Sequence, residues 1–134
     1  MNYVLDASSL LRLVDDEAGA DRVEDLLNQA RAGKTELLLS AVNWGEIVYI
    51  LARPHISSRS RQMIDRLRGL PFRIVDVAGS SAEEAAWFKE RFQVPYADAF
   101  AGALAYSQNI TLITADYDFK PASSAMKVEF LPVK

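Results

Sequence analysis

The sequence predicts an α/β fold in three layers: a central, mostly parallel sheet of four to five short strands flanked by helices. Three observations predict it. Strand-like and helix-like segments alternate along the whole chain. The strand-like segments are short and apolar at successive positions, as in Leu37-Leu38-Leu39, which suits strands covered on both faces. A length of 134 residues, half of them hydrophobic, provides for one core, and one domain over residues 1–134 is the expectation.

Each element has a local reason. Val4-Leu5 reads as β1, and Asp6-Ala7-Ser8-Ser9 turns into helix α1, through about Asp15. Helix α2, Ala20 to Ala32, places Val23, Leu26, Leu27 and Ala30 on one face, and Gly33 ends it. Glu36 to Leu39 is β2. Ser40 caps α3, Ala41 to Ala52, and Pro54 stops it. A basic helix, α4, spans Ser58 to Gly69. Phe72 to Val77 is β3. Ser80-Ser81-Ala82-Glu83 has the pattern of a capping box and opens α5, which runs to about Phe92. Pro95 stands in the first turn of α6, which runs to Gln108. Thr111 to Thr114 is β4, and Lys127 to Leu131 is β5. No repeat, low-complexity tract or linker interrupts this order.

Composition narrows the function. The net charge is -3, which excludes a global polycation but leaves room for a local basic site. Without Cys, disulfides, thiolate catalysis and Cys-ligated zinc are excluded, and His55 alone rules out a mechanism that needs two histidines. The N-terminus has no basic-then-apolar leader, and no apolar run reaches transmembrane length, so a soluble cytoplasmic protein is expected.

Four acidic residues sit where acid is unexpected. Asp6 ends the run Tyr3-Val4-Leu5. Glu46 is the only charge between Ala41 and Ala52, in a helix apolar nearly all round and so expected to be buried. Asp98 lies in an Ala-rich helix, and Asp116 closes Thr111-Leu112-Ile113-Thr114-Ala115. Desolvating a carboxylate costs several kcal/mol unless it is paired. In a parallel sheet, ligands bind beyond the carboxyl ends of the strands, where Asp6 and Asp116 both fall. A shared hard divalent cation answers all four violations: Mg²⁺ or Mn²⁺ takes carboxylate and water oxygens, and one ion, or two about 4 Å apart, would serve a phosphodiester.

A blander reading stands beside each residue. Asp6 is also placed to cap α1, and Ser8 either caps that helix or lends its hydroxyl to the site. For Glu46, the stronger candidate, the blander alternative is a structural salt bridge to one of the arginines, and Asn43, one turn earlier, either orients that carboxylate or caps the helix. Asp98 complements the dipole of α6 in any case. The small residues Ala101, Gly102 and Ala105 on its face let the helix lie close to its neighbours. Asp116 and Asp118 are ordinary turn formers, and Thr114 an ordinary β-branched strand residue; Asp118 is either a fifth acid of the site or a solvated neighbour.

Taken together, the motifs resemble a known family. Val4-Leu5-Asp6-Ala7-Ser8 is similar to the opening motif of PIN-domain nucleases, and Asn43-Trp44-Gly45-Glu46 to their N-x-x-E motif. Tyr96-Ala97-Asp98-Ala99 resembles the third acidic motif, and Leu112 to Phe119 the last, with its Thr-x-Asp core. At this length the chain most resembles VapC-type toxins of toxin–antitoxin pairs. The resemblance implies a metal-dependent endoribonuclease acting on structured RNA such as transfer or ribosomal RNA. It also implies a homodimer and a small VapB-like antitoxin whose C-terminal segment blocks the acidic pocket, often with an Arg. Carried over, Asp6, Glu46, Asp98 and Asp116 are the catalytic, metal-binding carboxylates, Thr114 is the accompanying hydroxyl, and Asp118 falls at a position that varies.

A basic cluster adds a substrate surface. Arg53, Arg59, Arg61, Arg66, Arg68 and Arg73 fall close together, opposed only by Asp65, with Arg12 and Arg91 as outlying candidates. Such a run is either a solvated helix face or a contact for a phosphate backbone or for the antitoxin. Different functions compete. A phospho-acceptor receiver domain shares the sheet, the acids and Mg²⁺, but it needs an acidic pair after β1 and a Lys after a late strand, and neither is present. A non-catalytic PIN-like RNA-binding module and a DNA-directed nuclease compete as well.

Overall fold

The computed structural model describes residues 1–133. The elements run β1 (Asn2–Leu5), α1 (Ala7–Val14), α2 (Ala20–Arg31), β2 (Glu36–Ser40), α3 (Ala41–Ala52), α4 (Ser58–Arg68) and β3 (Arg73–Val75). They continue α5 (Gly79–Phe92), α6 (Tyr96–Gln108), β4 (Thr111–Thr114), a 3₁₀ helix (Tyr117–Ser124) and β5 (Val128–Phe130). All five strands lie in one parallel sheet, in the order β3-β2-β1-β4-β5. The expected α/β architecture is what the chain adopts.

The alternation of side chains explains the apolar strands. Val4, Leu38 and Leu112 point to one face and pack with Ala85 and Phe88 of α5, Ala99, Ala101 and Ala105 of α6, and Phe119. Their neighbours Leu5, Leu37, Leu39 and Ile113 point to the other face, against Leu10 of α1, Val23, Leu26 and Leu27 of α2, Ile47 of α3 and Leu67 of α4. β1, β2 and β4 are thus buried on both sides, which is why they read as apolar runs rather than alternating ones, whereas the edge strands β3 and β5 are only partly covered.

Several local expectations need correction. α3 is not buried all round: Asn43 and Ile47 are its buried residues, whereas Tyr49 is 64% and Ile50 36% exposed. The capping box at Ser80 does not form. α5 begins earlier, at Gly79, and it is the Ser81 hydroxyl that accepts from the Ala78 N–H at 3.2 Å; Glu83 plays no part. A reciprocal box opens α4 instead: Ser57 Oγ accepts from Ser60 N at 3.1 Å, and Ser60 Oγ from Ser57 N at 2.8 Å. Pro95 precedes α6 as its N-cap residue rather than lying in its first turn. The 3₁₀ helix after Asp116, anticipated only as a turn, carries Phe119 into the core.

Gly102 shows why the small-residue stripe on α6 matters. A Cβ at this position would come within 2.4 Å of the Phe88 ring and 3.1 Å of Phe119. α5 and α6 touch through this contact, so α6 sits close against its neighbours with Asp98 in its first turn.

Candidate metal centre at the carboxyl edge of the sheet

The site is assembled where the strand order reverses, between β1 and β4. Their parallel register pairs Tyr3 with Thr111, Val4 with Leu112 and Leu5 with Ile113. One step further brings Asp6 beside Thr114, whose hydroxyl donates to Asp6 Oδ2. The other oxygen, Oδ1, accepts from Ser8 Oγ at 2.8 Å and from Ser9 N at 2.9 Å. Asp6 is therefore the N-cap of α1, and its charge also acts on Asp98, so capping does not take it away from the other acids.

Both hydroxyls meet the chain at the β4 exit, Ser8 from across the sheet and Thr114 from the end of β4 itself. Ser8 Oγ accepts from Ala115 N at 2.9 Å, and Thr114 Oγ1 accepts from Asp116 N at 2.9 Å. Asp116 in turn caps the 3₁₀ helix, its Oδ1 accepting from Asp118 N at 2.9 Å. One chain of hydrogen bonds thus joins the ends of two adjacent strands. Ser9, which no sequence motif singled out, is fully buried, and its hydroxyl donates to Asp6 O at 2.9 Å. Its position three residues after a cap-forming Asp was the available signal.

α3 supplies Glu46 and α6 supplies Asp98. Asn43 ties them together: its Nδ2 donates to Glu46 Oε1 at 2.8 Å and to the Ala97 carbonyl at 3.1 Å. Both neighbours are acceptors, which fixes the orientation of the amide. Asn43 thus orients the carboxylate rather than capping α3. Its Oδ1 is buried and has no partner among the described residues. The carbonyl of Ala97 leaves no trace in a sequence motif and is visible only in the fold.

The acids converge. Carboxylate oxygens of Asp98, Asp116 and Asp118 lie within 4.8 Å of one another, so Asp118 stands with the acidic set. Burial, then a hydrogen bond shared with Asp116, then the charges of Asp116, Asp6 and Glu46 push Asp98 up to about 8. Asp6 is raised by burial, against the pull of its hydrogen bonds from Thr114, Ser9 and Ser8. None of the four predicted acids, nor Asp118, forms an ion pair among the described residues, which removes the salt-bridge reading of Glu46. Crowded oxygen donors without a basic partner, in a chain with no Cys and one His, suit a hard divalent cation.

The basic cluster is exposed throughout. Arg68 pairs with Asp65 at 2.6 Å and Arg73 with Glu36 at 3.6 Å, and Arg53 lies over the Tyr49 ring. Arg59, Arg61 and Arg66 have no ion-pair partner among the described residues. Arg12 and Arg91 are engaged elsewhere, Arg12 on the carbonyls of Ala18 and Pro132 and Arg91 on the Tyr106 hydroxyl.

Comparison with known proteins agrees with this architecture. The family model of the PIN domain matches residues 3–123, and the chain belongs to the PIN-domain family. Among solved structures, it is similar to VapBC2 from Rickettsia felis, crystallised on a promoter DNA fragment. The TM-score is 0.76 and the identity 14%, over 98% of this chain and 100% of that one. VapBC-1 from nontypeable Haemophilus influenzae gives 0.72 and 17%, over 97% of this chain and 98% of that one. VapC20 from Mycobacterium tuberculosis, described as a sarcin–ricin loop cleaving toxin, gives 0.66 and 18%, over 97% and 99%. At these identities the likeness is one of fold. No curated protein matches. Membership of this family sets aside the receiver-domain reading.

Proposed function

We propose that the protein is a Mg²⁺- or Mn²⁺-dependent endoribonuclease, the toxin of a toxin–antitoxin pair, cleaving structured RNA. The observation that carries this reading is the cluster of Asp98, Asp116 and Asp118 at the strand-order reversal, with the charges of Asp6 and Glu46 acting on Asp98 and no ion pair to any of the five among the described residues. Asp6, Glu46, Asp98 and Asp116 would hold the cation, with Asp118 beside them. Ser8, Thr114 and Asn43 do not bind it in this reading; they fix the directions of Asp6 and Glu46. When bound, such a cation lowers the pKa of water and offsets charge on the phosphodiester. Arg59, Arg61 and Arg66, which have no ion-pair partner among the described residues, offer contacts to the RNA backbone, with Arg53 and Arg68 beside them.

The partner follows from the same chemistry. A VapB-like segment carrying an Arg into the pocket would neutralise the acids as a cation does and would exclude substrate. VapBC toxin–antitoxin complexes are among the folds this chain resembles. Self-association is supported by the exposed apolar side chains Tyr49 and Ile50 on α3 and Ile56 beyond it. A cytoplasmic location suits an RNA substrate, and no helix among the described residues is long and apolar enough to cross a membrane.

The deciding experiment incubates purified protein with transfer and ribosomal RNA in chelator, then adds back Mg²⁺ or Mn²⁺. Cleavage should vanish in chelator and return with metal. Cleavage undiminished in excess chelator, with contaminating nuclease excluded by the Asp6→Asn protein, would reject the metal mechanism.

A further inference from the structure

Asp118 borders two features at once. One side belongs to the three-carboxylate cluster. The other opens into a surface cleft of about 560 Å³ walled by Phe92, Pro95 and Tyr117, with Lys89 and Gln93 at its rim. Nothing in the acidic chemistry explains the construction of this cleft.

Tyr117 is a fixed aromatic plane. Its ring stacks on Phe130, with centroids 4.9 Å apart and planes 12° apart, and the Lys120 ammonium lies 5.3 Å from the Phe130 centroid on that ring. The Tyr117 hydroxyl donates to the Leu131 carbonyl at 2.9 Å. The ring cannot swing, yet it remains 41% exposed. Lys89 Nζ uses one proton on the Val94 carbonyl, at 3.1 Å, which leaves two further donors on a fixed ammonium. Gln93 Nε2 is held by the Glu90 carbonyl at 2.6 Å, and its Oε1 accepts no hydrogen bond among the described residues.

An anchored ring, a cation and a free amide acceptor, contiguous with a carboxylate centre, match one chemistry. A nucleotide presents a flat base, an anionic phosphate and edge donors together, and single strands bind to such platforms by stacking on aromatic rings beside basic groups. We propose that this cleft is a subsite for one unstacked nucleotide of a single-stranded segment, next to the phosphodiester held at the carboxylates. The base lies on Tyr117, and an adjoining phosphate meets Lys89. A base inside a duplex has no face to offer, so the subsite selects loops and bulges of a structured RNA over its stems. The inference rests on the nuclease reading for the identity of the neighbouring phosphodiester, and on the cleft alone for the nucleotide.

Two measurements separate these dependences. Adenosine 5′-monophosphate is titrated in chelator against wild type, Tyr117→Phe, Tyr117→Leu and Lys89→Gln, followed by aromatic proton resonances. A short single-stranded RNA is then cut in Mg²⁺, intact and with an abasic residue at each position in turn. Wild type and Tyr117→Phe should bind the nucleotide, with affinity about tenfold lower in Tyr117→Leu. One abasic position should lower wild-type cleavage about tenfold and cause no further loss in Tyr117→Leu. Should Tyr117→Leu fail to fold, the exposed Lys89→Gln decides: affinity equal to wild type overturns the subsite. So does an absence of nucleotide binding in wild type, or cleavage with no abasic position that matters. Nucleotide binding that depends on Tyr117, in a protein that cuts no RNA, overturns the nuclease reading and upholds the subsite.

Discussion

Asp98 stands in the first turn of α6, where a carboxylate favours the helix dipole, yet it makes no capping hydrogen bond and feels three other acids. The fold raises its pKa from an ordinary 3.8 to about 8. The native state therefore holds this proton more tightly than the unfolded chain does. The resulting stabilisation is complete below pH 3.8 and is lost as the pH rises through 8. Metal-free protein should accordingly melt at falling temperature across that window. Asp98→Asn should flatten the fall, match or exceed wild type at pH 8 and abolish cleavage. A mutant that melts clearly lower at pH 8, with the pH slope kept, would return Asp98 to a purely helix-starting role. The acids were legible because each broke a local rule, a charge inside an apolar segment. Asp118 was legible only as an open alternative, since an exposed Asp after a turn-forming Asp looks the same in sequence whether it faces solvent or a cluster.

At the scale of the element, what sequence conveyed was period, and what it missed was orientation. The α6 stripe correctly implied a close approach, and the structure shows its reason in the Phe88 ring against Gly102. Gly102→Ala should cost about 1–3 kcal/mol through overpacking, read as a lower denaturant midpoint with an unchanged slope. An unchanged midpoint would mean that Phe88 can turn aside. α3 went the other way. Its apolar residues suggested burial on all sides, but composition cannot tell a helix inside a core from one whose second face is left for a partner, and Tyr49 and Ile50 are on that exposed face. The 3₁₀ helix also escaped notice, because Pro121 and the short polar residues around it resemble a loop.

For the whole molecule, alternation of strands and helices was enough to give a parallel three-layer arrangement. The strand order was not legible, because order depends on which crossover goes left or right of β1, and no single segment encodes that. The order decides the chemistry here, since it sets the ends of β1 and β4 side by side. Association is the property of the whole that remains open to a direct test. Tyr49→Glu places a charge in the exposed α3 face and should shift the proposed dimer to monomer in sedimentation, with its fold intact by circular dichroism. A dimer of unchanged strength would move the interface elsewhere. The adjacency of β1 and β4 also has a consequence in time. Asp6 and Thr114 touch across a separation of 108 residues, so the pocket cannot close until nearly all of that stretch has left the ribosome. At ordinary synthesis rates of about 5–20 residues per second, the delay is roughly 5–20 s. A nascent chain halted before β4 carries its early acids without their counterparts, so the acidic site assembles only after β4 has emerged.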